Sequence, residues 1–290
     1  MVKVDIDPGA GFCFGVEDVI RTAETSLRKG EVLYALGDLV HNGEEMKRLK
    51  AQGMKTISHE RLPEVRSGKV LFRAHGEPPS TYRIAGEQNI EIIDGTCPIV
   101  KKLQKKIRDT YREMDPEIEQ LVIFGNPDHP ETIGLLGQVD GNATVVRNAE
   151  EVGLVDRNKR VHLFSQTTMD PDRFAEVESL LRVHAGNVNA GFRSSCTICG
   201  QMKRRKPKLR EFALSHDVIL FVSGRNSSNG KMLFEFCRSV NPGSHWISGP
   251  DEIETSWLEN AGNVGISGAT STSFAQLESV RNRVEKLTST

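Results

Sequence analysis

The sequence predicts an α/β fold made of small, mostly parallel sheets, and three observations carry that expectation. Short runs that are apolar almost throughout recur along the chain: VLYAL, KVLF, IEII, QLVIF, VHLF and VILFV. Each ends in a turn of glycine, histidine or small polar residues, and several of those turns lead into helical spacing. Strand followed by helix, repeated, is the pattern of βαβ units.

Taken in order, VKVDI runs into DPGAGFCFG and a helical pattern over 16–28. EVLYAL gives way to GDLVHNG and a second helix over 43–52. KVLFRAHGEPP and IEIIDGTCP follow, the latter leading to a helix over 100–113. QLVIFGNPDHPE comes next, and RVHLFSQTT precedes a helix over 171–184. VNAGFRSS is a weak strand at best, and a helix over 208–215 leads to DVILFVSGRNSSNG; NVGISGATSTS closes the series. Asn148 and Pro250 head the stretches NAEE and PDEI, which read as further helix starts. In parallel sheets the ligand crevice lies beyond the carboxyl ends of the strands. Cys13, His41, His75, Cys97, His129, Thr167, Ser227 and Thr270 follow the runs and are candidates to face a cleft.

The totals bound the function. A chain of 290 residues has room for two or three modest domains, and 37% apolar with 27% charged residues is ordinary for a soluble protein. The formal net charge of −1 gives no global field, so a polyanion would be held by local groups. MVKVDIDPGAG lacks an apolar core, so no signal peptide is expected, and no run is long enough to span a bilayer. The cysteines at 13, 97, 196, 199 and 237 are odd in number and scattered, a poor disulfide framework. A cytoplasmic chain with reduced thiols is the expectation, each thiol being a ligand, a nucleophile or plain buried filler.

Each motif has a functional and a bland reading. GAGFCFG departs from the dinucleotide fingerprint, because its last glycine comes one residue late and the strand before it carries Lys3 and Asp5. A cysteine ligand in a tight turn fits it better than a pyrophosphate. In DGTCP, Cys97 stands where a helix begins with Pro98, and helix amides favour a thiolate there. Nucleophile, metal ligand and small turn residue all remain open for Cys97. HPE sets an imidazole and a carboxylate two residues apart, which suits proton delivery if Glu131 is buried and a solvent-facing loop if it is not. SGRNSSN can ring an anion at a helix start or simply cap the helix. MKRRKPKLR lacks interleaved aromatics and reads as a solvated helix face or loop, so no nucleic acid is expected. Cys196 and Cys199 form a C-x-x-C pair without the second pair that zinc would need.

In order, GFCFGV, LVHN, RAHG, GTCPIV, HPE, QTT, RNSSN and SGATS resemble the 4-hydroxy-3-methylbut-2-enyl diphosphate reductase family, from residue 11 to about residue 273. The resemblance implies three similar α/β units around a central cleft that holds a [4Fe–4S] cluster, bounded at 14–97, 98–194 and 195–290, with 1–13 completing the last. It implies Cys13, Cys97 and Cys199 as ligands; an ungapped count back from RNSSN selects Cys199 and leaves Cys196 a neighbour. A three-thiolate cluster keeps one iron open to the substrate oxygen. The implied reaction is reductive dehydroxylation of the allylic diphosphate to isopentenyl and dimethylallyl diphosphate, with an external donor such as ferredoxin or flavodoxin. His41, His75, His129, Ser227, Ser228, Asn229 and Thr270 match the diphosphate contacts, Glu131 the proton relay, and Thr167 the hydroxyl beside it.

The chain departs from the family pattern in places. GQMKRRK stands where A-T-x-N-R-Q is common, Thr270 replaces a serine, GATSTS lacks a proline, and Phe14 replaces an alanine. Two rivals stand beside the resemblance. One is a cysteine hydrolase using Cys97 with His75; the other is a zinc-stabilised RNA-binding module using Cys196, Cys199 and the basic run.

Overall fold

The computed structural model describes residues 2–185 and 191–289. In chain order the strands are β1 (Lys3–Ile6), β2 (Leu33–Leu36), β3 (Lys55–Ile57), β4 (Lys69–Phe72), β5 (Glu91–Asp94), β6 (Glu119–Phe124), β7 (Thr144–Val146), β8 (Arg160–Ser165), β9 (Arg193–Ser194), β10 (Val218–Val222), β11 (Ser244–Ile247) and β12 (Asn263–Gly268). The α-helices are α1 (Phe14–Arg28), α2 (Gly43–Ala51), α3 (Pro79–Glu87), α4 (Pro98–Glu113), α5 (Pro130–Leu136), α6 (Pro171–His184), α7 (Gly200–Leu214), α8 (Ser228–Val240) and α9 (Phe274–Thr288). They build three four-stranded sheets, ordered β3-β2-β4-β5, β7-β6-β8-β9 and β1-β12-β10-β11. Every pairing whose register is described is parallel, as the unbroken apolar runs require.

By backbone proximity the chain forms two compact units. The first takes residues up to Leu33, Asp38–Thr56 and everything from Arg204; the second takes Tyr34–Gly37 and Ile57–Lys203. In the first unit β10 shows why its sequence is apolar at every position. Val218, Leu220 and Val222 pack with Ile266 and, from α9, Leu277 and Val280. Ile219 and Phe221 face the other way, onto Leu209 of α7 and Leu233 of α8. Successive strand side chains point to opposite faces, so a strand covered on both sides has no position left for a polar residue. In the second unit Leu121 and Ile123 of β6 pack on Leu103 and Ile107 of α4 and Leu135 of α5. Phe124 meets Phe174 of α6 with ring centroids 6.1 Å apart. Among the described residues no helix is long and apolar enough to cross a membrane.

Three expectations are corrected. The helix expected over 208–215 begins at Gly200 and runs through the basic stretch and Pro207. Met202, Arg205, Leu209 and Ala213 are all buried, an inward stripe at helical spacing that the surrounding charges disguise. The basic run is therefore not wholly a solvated face. Asn148 and Pro250 start short 3₁₀ segments, Ala149–Leu154 and Pro250–Glu252, and not α-helices. Of VNAGFRSS, residues 188–190 lie outside the described residues, and Arg193–Ser194 forms β9 on the edge of β8.

Candidate functional site

Three thiols are seated in the same way at three strand-to-helix junctions. The Cys13 N–H donates to the Thr270 carbonyl at 3.3 Å, Cys97 to Ala74 at 3.0 Å, and Cys199 to Thr167 at 2.8 Å. In each case the acceptor lies just beyond the end of a strand, β12, β4 and β8 respectively. Each cysteine carbonyl then takes the first helical hydrogen bond, from Glu17, Lys101 and Lys203. The backbone is thus pinned on both sides of a half-buried thiol. The other two cysteines differ. Cys196 is exposed, and its carbonyl receives the Lys203 ammonium at 3.4 Å. Cys237 is fully buried beside Ser244, and burial pushes its thiol pKa up.

The second unit gathers His75, His129, Glu131 and Thr167. His129 caps α5 and its Nδ1 accepts the Glu131 N–H at 3.1 Å, so the neutral ring carries its proton on Nε2. The His75 and His129 rings meet edge to face with centroids 5.1 Å apart. Glu131 is 1% exposed, which corrects the solvent-facing reading of HPE. Its Oε1 accepts the Thr167 N–H at 2.6 Å and its Oε2 the Thr167 hydroxyl at 2.8 Å. Burial raises the carboxyl to about 7, although both bonds from Thr167 pull it down. The loop carrying His75 needs Gly76, at φ +77°, where a Cβ would stand 2.5 Å from the Gln104 amide nitrogen.

The first unit gathers the hydroxyl and amide groups. Ser227 caps α8, accepting the Gly230 N–H at 3.0 Å, and lies 3.5 Å from the Ser271 hydroxyl. The Asn229 side-chain Oδ1 accepts the N–H and the hydroxyl of Thr270, both at 3.3 Å. Ser228 sits beside them in sequence but is exposed. The loop bearing His41 packs against the SGRNSSN loop so closely that a Cβ on Gly224 would stand 2.6 Å from the His41 carbonyl. Asn42 fixes that loop further, capping α2 through its oxygen and donating to the Ser271 carbonyl at 2.9 Å.

The model of the LytB protein family matches residues 4–285. The chain belongs to the LytB family. A LytB relative from Bacteroides thetaiotaomicron, named 4-hydroxy-3-methylbut-2-enyl diphosphate reductase, is 50% identical over 287 residues, covering 99% of each chain. A solved structure of (E)-4-hydroxy-3-methyl-but-2-enyl diphosphate reductase, described as the terminal enzyme of the non-mevalonate pathway, superposes with a TM-score of 0.73 at 31% identity. It covers 99% of this chain and 100% of that one. The reductase structure from Plasmodium falciparum shares the fold, with a TM-score of 0.84 at 24% identity over 97% of this chain and 87% of its own. The family resemblance and the three-sheet α/β fold expected from the sequence are both borne out. Full-length kinship leaves the hydrolase reading without support. The same kinship leaves the RNA-binding module without support, and among the cations of the basic run Arg205 alone is buried.

One part of the LytB chain escaped the sequence reading. Asp7 and Arg205, each 3% exposed, form a buried pair with Nη1 2.7 Å from Oδ2. Asp7 accepts the Gly9 N–H at 2.7 Å through Oδ1 and the Ser267 hydroxyl at 2.8 Å through Oδ2. Arg205 Nη2 donates to that hydroxyl at 2.8 Å and to the Gly268 carbonyl at 3.2 Å. The pair grips the ends of β1 and β12 together, where the loops bearing Cys13 and Thr270 begin. The signal was the spacing of Met202, Arg205 and Leu209, which places an arginine on an apolar face.

Proposed function

We propose that this LytB chain converts 4-hydroxy-3-methylbut-2-enyl diphosphate to isopentenyl and dimethylallyl diphosphate. Two electrons and two protons enter, the allylic C–O bond breaks, a C–H bond forms, and the oxygen leaves as water. The observation that carries this reading is the repeated seating of Cys13, Cys97 and Cys199. Three half-buried thiols on pinned helix starts fit the donor set of an iron–sulfur cluster. Cys13, Cys97 and Cys199 would hold a [4Fe–4S] cluster, which when bound would relay electrons from a donor and supply Lewis-acid iron.

The remaining chemistry belongs to the chain. When Glu131 is protonated on Oε2 it donates to the Thr167 oxygen, and the Thr167 hydroxyl hydrogen turns away toward a third partner. When Glu131 is ionised the bond reverses. The two residues therefore form a relay that moves a proton outward without moving a heavy atom. His41, His75, His129, Ser227, Ser228, Asn229 and Thr270 supply hydroxyl, amide and imidazole donors for the diphosphate. Imidazoles also neutralise part of its charge when protonated.

The electrons come from an external carrier such as ferredoxin or flavodoxin, and the chain works in the cytoplasm. Its three α/β units are bounded at 14–97, 98–194 and 195–290, with 1–13 completing the last. The test is turnover of the allylic diphosphate by anaerobically reconstituted protein with a chemical reductant. Production of both isoprenoid diphosphates supports the reading, and a protein with full iron and sulfide but no product refutes it. Cys199→Ser is expected to lose iron and Cys196→Ser to keep it; the reverse would reassign the third ligand.

A further inference from the structure

α4 leaves Cys97 as a strongly cationic helix in a chain whose formal net charge is −1. Leu103, Gln104 and Ile107 face inward, while Lys101, Lys102, Lys105, Lys106 and Arg112 are exposed. Asp94 offsets Lys101 and Asp109 offsets Lys105. The charge does not end with the helix. The Lys106 ammonium donates to the Ser195 hydroxyl at 2.8 Å, stitching α4 to the segment that runs into Cys199. Lys106, Arg193 and Ser195 share the lining of one cavity of about 180 Å³ with the carboxylates of Glu113 and Glu119, so the cations of α4 and β9 border one another around it. Lys203 adds another through its contact with Cys196. Among the described residues Lys102, Arg193 and Lys203 have no carboxylate partner within ion-pair distance. In the first turn Ile99 is 42% exposed, and Ile99, Lys102 and Lys106 form a stripe at helical spacing.

We propose that this face, from Pro98–Ile99 along the exposed lysines of α4 to Arg193 and Lys203, is the docking surface for an acidic protein that carries one electron at a time. The proposal rests on the reductase reading, because α4 starts immediately after a thiol proposed to hold the cluster. Charge complementarity selects the partner. A basic surface on a nearly neutral protein speeds the approach of an acidic one, and redox encounters use small, transient interfaces with little apolar area. Exposed Ile99 supplies the apolar contact beside the thiol, and the lysines supply the steering. Two reduced carriers each give up one electron per substrate, which with two protons balances loss of the hydroxyl as water.

The experiment uses the reconstituted protein and compares a reduced acidic [2Fe–2S] ferredoxin with dithionite as the reductant. In Lys102→Glu/Lys105→Glu, the kcat/KM for ferredoxin should fall by about tenfold and lose its sensitivity to salt, while dithionite-driven turnover stays at the wild-type level. Lys29→Glu/Lys286→Glu, which makes the same charge change at other exposed sites, should leave both unchanged. The proposal is overturned if the α4 pair leaves ferredoxin kinetics unchanged, if the control pair lowers them equally, or if a single-stranded RNA outcompetes ferredoxin for the wild-type surface. A wild-type protein that holds its cluster yet turns over with neither reductant would remove the reductase reading, and this proposal with it.

Discussion

Glu77, beyond β4, and Glu131, beyond β6, lie in the same unit and are each 1% exposed, yet their surroundings differ in kind. Glu77 faces the charged Arg73 guanidinium at 3.2 Å and, at 2.6 Å, the His59 imidazole. Among the described residues Glu131 is offered only the N–H and hydroxyl of Thr167. Neutral donors cannot balance the loss of water, so burial holds Glu131 near pH 7 instead of in the usual carboxylate range. One acid ties a loop in place through an arginine; the other stores a proton. A cation within reach makes the difference.

The largest expected effect separates the two roles. Glu131→Gln should keep iron and sulfide but lower turnover by about a hundredfold or more, because the proton source is gone. Glu77→Gln should leave the chemical step near normal. Equal losses in the two variants would erase the distinction, and turnover against pH sharpens it, since the wild-type rate should fall as pH rises through about 7.

Stability comes next. Glu77→Leu strands the Arg73 guanidinium, whose side chain is only 13% exposed, and should destabilise the fold by about 3 kcal/mol in denaturant titrations. Glu131→Gln should do the opposite, and only at high pH. Between the ordinary value of 4.5 and about 7 the folded protein holds a proton that the unfolded chain has lost, so wild-type stability falls as pH rises through that window. Above it the ionised, buried carboxylate costs on the order of 3 kcal/mol. The variant should therefore unfold later than wild type at pH 8 and match it near pH 4.5. A constant difference across that range would contradict the assignment.

The apolar runs made most strands legible, because a strand buried on both faces leaves no room for ambiguity in its residues. α7 was only half legible, since Met202, Arg205 and Leu209 face the core while their neighbours carry the charge. The site was readable as a set of residue types in order, but not as environments. HPE alone gives no sign that Glu131 is buried, because what covers its carboxyl is Thr167, thirty-six residues away in the chain. Cys199 stands apart from Cys196 through a backbone bond to Thr167, which no local spacing encodes. The Asp7–Arg205 pair joins residues far apart in the sequence.

The most direct test of a proton stored at Glu131 is an infrared titration of the reconstituted protein against Glu131→Gln. A protonated carboxyl band should be present at pH 6, absent from the variant, and lost with a midpoint near 7. A side chain already ionised at pH 6, with no such band in the wild type, would contradict it.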